Sequence, residues 1–264
     1  MTAPAHEPGG AAGSVVHRGR TDILPALGIR PSAAEVVSLV LDQALTDASL
    51  RAVAEGRRTV VLDAGCGRVS SLRPFRSRVG EIVGLDISLQ PEGSLGHLDR
   101  FVLADMCREP DAFPPATFDV VLMSFTVEHL ADPARAFANL GVWTRPGGTI
   151  VATTVNRRHP FVAGYLDLPH GLRDRLQGVV KARPEDAHPL VGRCNTRREV
   201  AAALRATGWD EVRISTVGHL ARAWGRTWPT FALGVAGDLV TRGMPARRST
   251  IIATARRPVE PAGR

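Results

Sequence analysis

Val60-Val61-Leu62-Asp63-Ala64-Gly65-Cys66-Gly67 reads as a short apolar strand, expected over 59–62, that runs into an aspartate and a glycine turn. Glycine lets the backbone turn sharply and lets a ligand approach the main chain, as a nucleotide-type turn at a strand end requires. Alone it is a weak sign. A dinucleotide fingerprint would place a third glycine at position 70, where Ser70 stands.

Outward from this turn the chain alternates. Apolar strands are expected over 81–85, ending in Asp86; over 101–104, ending in Asp105; and over 118–125. Upstream, Val36, Val37, Val40, Leu41 and Leu45 recur at helical spacing within 31–55, with Pro31 in the first turn and Gly56 at the end. Downstream, Asp132 and Pro133 open a helix over 132–143, and the turn Arg145-Pro146-Gly147-Gly148 leads into a strand over 149–155. Thr196 and Glu199 form a capping box before a helix closed by Gly208. Strands follow over 211–217 and 249–255. Between them, Leu220, Trp224, Trp228, Phe231, Val235 and Leu239 make a stripe that Pro229 and several glycines split into two short helices. Continuous apolar strands alternating with helices indicate a parallel sheet covered on both faces, with ligands at the carboxyl ends of its strands. Three successive strands end there in aspartate.

The 264 residues fit one domain over 21–258, between a flexible tail over 1–20 and a frayed end over 259–264. Residues 156–194 break the rhythm with arginines, histidines and prolines and read as an insertion of short helices and loops. Together with a segment over 219–247, they are the expected cover of the substrate. No apolar run reaches membrane-spanning length, and the first twenty residues have no signal-peptide core, so the expected location is cytoplasmic. Peripheral membrane contact stays compatible with the sequence. Cys66, Cys107 and Cys194 lack the pairing of a disulfide framework or a zinc site, so no metal is expected. The net charge is +7 and Lys181 is the only lysine. This suits a solvated basic surface or an anionic acceptor better than nucleic acid, since aromatic and basic residues do not interleave.

The glycine turn resembles the first motif of class I S-adenosylmethionine-dependent methyltransferases, in particular bacterial members of the type 11/12 kind. Val83-Gly84-Leu85-Asp86-Ile87-Ser88, Phe101-Val102-Leu103-Ala104-Asp105-Met106, Phe118-Asp119-Val120-Val121, Val127-Glu128-His129-Leu130 and Trp143-Thr144-Arg145-Pro146-Gly147-Gly148 follow in the family's order. The resemblance implies an α/β, Rossmann-like doubly wound sheet of seven mostly parallel strands with an antiparallel last strand, plus an inserted helical and loop cover. It implies S-adenosylmethionine as cofactor. Asp63, Gly65, Cys66 and Gly67 would hold its methionine part, Asp86 and Ile87 its ribose side, and Asp105 and Met106 its adenine, with Ser124 near the reacting end. Val69 stands where many members have a third glycine. Residues 88–99, with Pro91, Gly93 and Gly96, promise a short or missing helix between the second and third strands.

The expected reaction is methyl transfer to a small molecule, with oxygen as acceptor, in a bacterial secondary-metabolite or glycan pathway. Nitrogen or carbon acceptors, and a cofactor-binding partner protein without catalysis, stay open. A base would suit an oxygen or nitrogen nucleophile, and histidine titrates in the right range. His129 and His159 are the candidates, with His170 in the insertion and Tyr165 and Asp167 as orienting groups. His129 could instead only fix its loop. Ser124-Phe125-Thr126-Val127 stands where base-methylating RNA enzymes carry an Asn/Asp-Pro-Pro-Tyr/Phe motif. A monomer or homodimer is expected.

Overall fold

A computed structural model describes residues 21–259 apart from 69, 91–92, 170, 174 and 177–189. The tail over 1–20, His170, Val69 and the last five residues lie outside the described residues. Seven strands form one sheet in the order β3-β2-β1-β4-β5-β7-β6. They are β1 (Val60–Ala64), β2 (Glu81–Asp86), β3 (Arg100–Leu103), β4 (Phe118–Ser124), β5 (Thr144–Val155), β6 (Asp210–Val217) and β7 (Thr250–Arg256). Only β7 runs antiparallel to its neighbours. The order reverses between β1 and β4, the switch point at which such sheets open a crevice.

Strand side chains alternate between two cores. Leu62, Val121, Met123 and Ile150 face one, with Phe137 and Leu140 of α2 (Pro133–Trp143) and Val200 and Leu204 of α4 (Arg197–Ala206). Val61, Val120, Leu122 and Val151 face the other, against Val37, Leu41 and Leu45 of α1 (Ala33–Ala54). The helices start where cap chemistry places them. The Ser32 hydroxyl accepts from the Glu35 amide at 3.1 Å, and the Glu35 carboxylate accepts from the Ser32 amide at 2.6 Å. Pro31, expected inside the first turn, therefore precedes the cap. Asp132 caps α2, and Thr196 with Glu199 forms the expected capping box on α4. Asp119 is structural: buried at the start of β4, it accepts from the Val60 amide at 2.9 Å and pairs with both terminal nitrogens of Arg57.

Three stretches depart from simple alternation. Among the described residues between β1 and β2 the helical element is a 3-10 helix, Arg73–Arg78. Residues 93–97 are turns, as their glycines suggest. β5 begins at Thr144 and not at 149; the glycine turn is an irregularity inside it, with Gly147 at φ +74.

The segments expected to form a cover hold, among the described residues, α3 (Pro160–Leu166), α5 (Leu220–Ala223) and α6 (Trp228–Thr241). α6 is a full 14-residue helix and not a short one. Pro229 lies in its first turn behind the Thr227–Thr230 capping box, and its glycines are contact points, not breaks. One end of the insertion is tied to the segment before β7 and the other to β5. The Asn156 amide group donates to the Arg248 carbonyl at 2.7 Å, and that of Asn195 donates to the Thr154 hydroxyl at 2.9 Å.

Candidate functional site

The site begins at the carboxyl ends of β1 and β2. Gly65 sits at φ +75, and a Cβ there would lie 2.4 Å from the Thr126 methyl, so only glycine fits. The Thr126 hydroxyl donates to the Ala64 carbonyl at 3.2 Å and holds the loop after β4 against this turn. Gly67, at φ +48, has nothing within 4 Å of where a Cβ would stand. One side of the turn is thus packed shut and the other is open. The Cys66 side chain points away from the opening: it is buried against Gly84, and burial pushes its thiol up. Its share in a site is limited to the backbone.

Asp63 and Asp86 face this turn with different degrees of satisfaction. Asp63 is buried, takes a hydrogen bond from the Ser70 hydroxyl, and has one oxygen, Oδ2, with no partner. Burial, with the neighbouring Asp86 charge, pushes its carboxyl up to about 7. A buried carboxylate with a vacant acceptor is the environment that a bound cation would complete. Asp86 accepts from the Gly67 amide and from the Ser88 amide, each at 3.0 Å, one per oxygen. A carboxylate oxygen has two lone pairs, so both can still accept from a vicinal diol. Ile87 beside it is exposed.

Asp105 follows β3 at the same edge. It accepts from the Cys107 amide at 2.8 Å and lies 3.5 Å from Arg108. Met106 is buried, and its carbonyl is held by the Asn139 amide group at 2.8 Å, which fixes the backbone that an adenine edge would meet. Ser124 closes β4. The strand order places all these residues along one edge, and the unpartnered Asp63 oxygen, the open Gly67 and the half-used Asp86 fit S-adenosylmethionine, which carries an ammonium and a ribose diol.

The two candidate bases separate. His129 ends the 3-10 helix Val127–His129, half-buried after β4. His159 is fully buried and caps α3: its Nδ1 accepts from the Phe161 amide at 3.2 Å, and its Nε2 donates to the Gly237 carbonyl at 3.1 Å. With both nitrogens engaged and burial lowering its pKa, it is a fixed neutral cap. To act as the expected base, His159 would have to give up the bond at Nδ1. Tyr165 and Asp167 lie at the end of α3, where Asp167 pairs with Arg157.

The residues missing from the sequence reading follow β6. β5 and β6 end level, since Val155 and Val217 both pair with Thr250, so the loop after β6 opens on the same edge. There His219 stacks on Phe125, which follows β4 in a left-handed conformation (φ 54), with 5.4 Å between ring centroids. His219 Nδ1 is buried without a partner, and burial together with Arg222 pushes its pKa down to about 4. Arg222, one turn on, has a buried Nη1 without a partner among the described residues. The strand-six terminus was the available signal, because loops at that edge of a parallel sheet line its crevice.

Comparison with known proteins places this geometry in context. Residues 38–214 match a family model described as a methyltransferase domain. The chain is 33% identical over 118 residues to a malonyl-(acyl-carrier protein) O-methyltransferase from Pseudescherichia vulneris, covering 44% of this chain and 46% of that one. It is 30% identical over 173 residues to the aklanonic acid methyltransferase DauC from Streptomyces sp. strain C5, covering 59% and 77%. The chain therefore spans less than half of the first relative. Among solved structures, the (4+2)-cyclase SpnF superposes with a TM-score of 0.53 at 17% identity, over 97% of this chain and all of that one, a likeness of fold alone.

Proposed function

The chain belongs to this methyltransferase-domain family, and from that premise we propose that it transfers a methyl group from S-adenosylmethionine to an oxygen of a small, anionic acceptor. The observation that carries the proposal is the buried, partnerless Oδ2 of Asp63 beside the Gly65–Gly67 turn. When bound, S-adenosylmethionine supplies an electrophilic methyl group on a sulfonium. Asp63 accepts from the ammonium, the open side of Gly67 lets the methionine part lie against the backbone, and Asp86 accepts from the ribose hydroxyls. Asp105 and the Met106 backbone take the adenine. Ser124, Phe125 and Thr126 bring the reacting end to the tip of β4.

The acceptor side is assigned to Phe125, His219 and Arg222. The neutral His219 accepts from an acceptor hydroxyl through Nδ1, and Arg222 pairs with its anionic group. The unpartnered Nδ1 favours His219 over His129 as the residue that orients the nucleophile. Alignment and water exclusion do most of the work of such a displacement, with donor and acceptor about 3–3.5 Å apart. The names of the relatives, a malonyl-(acyl-carrier protein) O-methyltransferase and an aklanonic acid methyltransferase, suit an acidic or acyl acceptor. A second reading, cofactor binding without methyl transfer, draws on a cyclase sharing the fold.

Calorimetry with S-adenosylmethionine, S-adenosylhomocysteine and NAD tests the cofactor, with micromolar affinity, about −8 kcal/mol, expected for the first two and none for NAD. Binding of NAD alone overturns the proposal. A labelled-methyl assay on cell extract separates transfer from binding. In it, His219→Ala should lower turnover by roughly 10²-fold or more while leaving cofactor affinity intact. The same loss in His129→Ala, with His219→Ala unaffected, would reassign the role.

A further inference from the structure

α6 is built inside out. A surface helix normally turns its apolar stripe to the core and its polar face to water. Here Phe231 is the one large apolar side chain that is buried, and the other inward positions are Gly234, Gly237, Asp238 and Thr241. The outward ones include Trp228 at 61% exposure, Leu233 at 47% and Val240 at 58%. Asp238 is the one charged residue of the helix, and it is buried, accepting from the Leu220 and Ala221 amides at 3.1 and 2.9 Å to hold α5. The orientation is locked. A Cβ at 234 would lie 2.6 Å from the Ala221 Cα, and one at 237 would lie 3.0 Å from His159 Cε1, so only the glycine face can lie on α5 and α3. The aliphatic residues are thus forced outward.

The surroundings extend the pattern. Leu24 and Ile29 of the segment before α1 pack against Phe231, and the same segment exposes Ile23 and Leu27. Exposed arginines flank the helix: Arg226 before it, Arg242 and Arg247 after it. Contiguous exposed apolar surface marks an interaction site. An apolar helix face with cations at its ends is the arrangement that seats in the headgroup region of a bilayer. We propose that α6, with Ile23 and Leu27, docks the protein peripherally on an anionic lipid surface. A second copy of the chain is the poorer occupant, because it would bring the same arginines together in a chain that already carries +7. Lipid phosphates oppose that charge, at separations short enough to escape salt screening only in contact. Among the described residues no helix is long and apolar enough to cross a membrane, so the contact is with the surface.

The test is co-sedimentation of the full chain with vesicles of phosphatidylglycerol and phosphatidylcholine, or of phosphatidylcholine alone. Binding should favour the anionic vesicles and weaken with salt. The variant Leu233→Glu/Val240→Glu, changed only at exposed positions, should bind at least about tenfold more weakly with an unchanged melting curve. Tryptophan emission should shift to shorter wavelength on anionic vesicles, and Trp228→Phe should remove the shift in an otherwise native chain; this arm stands even if the double variant fails to fold. Absence of vesicle binding, or binding unaltered by both variants, overturns the proposal. So does a lipid-free dimer that the double variant dissociates without any vesicle binding, which would assign the face to a second copy.

Discussion

The β1–β2 edge and the helical segments after β5 and β6 lie at the same end of the sheet, but they are made differently. At the edge, the parts that matter meet at neighbouring strand tips: Gly65, Gly67 and Asp63 in one turn, and Asp86, 19 residues on from Gly67, accepting from its amide at 3.0 Å. In the helical segments, the contacts that fix one helix on another join separate stretches of chain. His159 reaches Gly237, Asp238 reaches Leu220, and Phe125 meets His219. A site built locally from backbone and carboxylates should lose ligand affinity when altered and keep its fold. A cover built from long-range contacts should lose stability first.

Asp86→Ala is the strongest test of that contrast. It removes the proposed ribose contact, where a charged hydrogen bond contributes about 1.5–3 kcal/mol, and frees the half-buried Gly67 and Ser88 amides, where water can take the place of the carboxylate. Cofactor affinity should fall by roughly 100-fold or more in calorimetry, with a small change in melting temperature. An affinity within a few-fold of the wild type would break the distinction from the edge side. His159→Ala should do the reverse. It deletes the α3 cap and a buried hydrogen bond to α6, a loss of about 2–3 kcal/mol in denaturant unfolding. Cofactor affinity should hold. Full stability with lost turnover would restore His159 as a catalytic group.

The same contrast explains what could be read from the sequence. Asp63, Asp86 and Asp105 were legible because each ends a strand, and strand ends are marked by local composition. The capping box at Thr196 and the turns over 93–97 were legible for the same reason. α6 was misread because Gly234 and Gly237 look like helix breakers in isolation; only the closeness of Ala221 and His159 shows them to be contact points. His159 looked catalytic because its partner lies 78 residues away on a helix whose path was unknown. His219 carried no motif. Its place follows from β6 being parallel to β5, a property of the sheet as a whole.

The pH dependence of Asp63 is the effect with a sign to get right. Asp63 has a carboxyl at about 7 in the folded protein against 3.8 for a free side chain. Between these values the folded chain holds a proton that the unfolded chain releases. The group's contribution to stability is therefore fully present below about pH 4 and is lost as pH rises through about 7. A cationic ligand at Asp63 needs the opposite state, the carboxylate. Cofactor affinity should then climb about tenfold per pH unit up to about 7 and level off above it, while the stability of the ligand-free protein falls over the same range. Asp63→Asn should flatten both curves, and a slope that survives in the variant would remove Asp63 from the ammonium site. Asp86 sharpens the point, because its charge is part of what raises the Asp63 carboxyl. Asp86→Asn should move the break in the affinity curve to lower pH, which ties the two aspartates to one ligand and leaves the cover untouched.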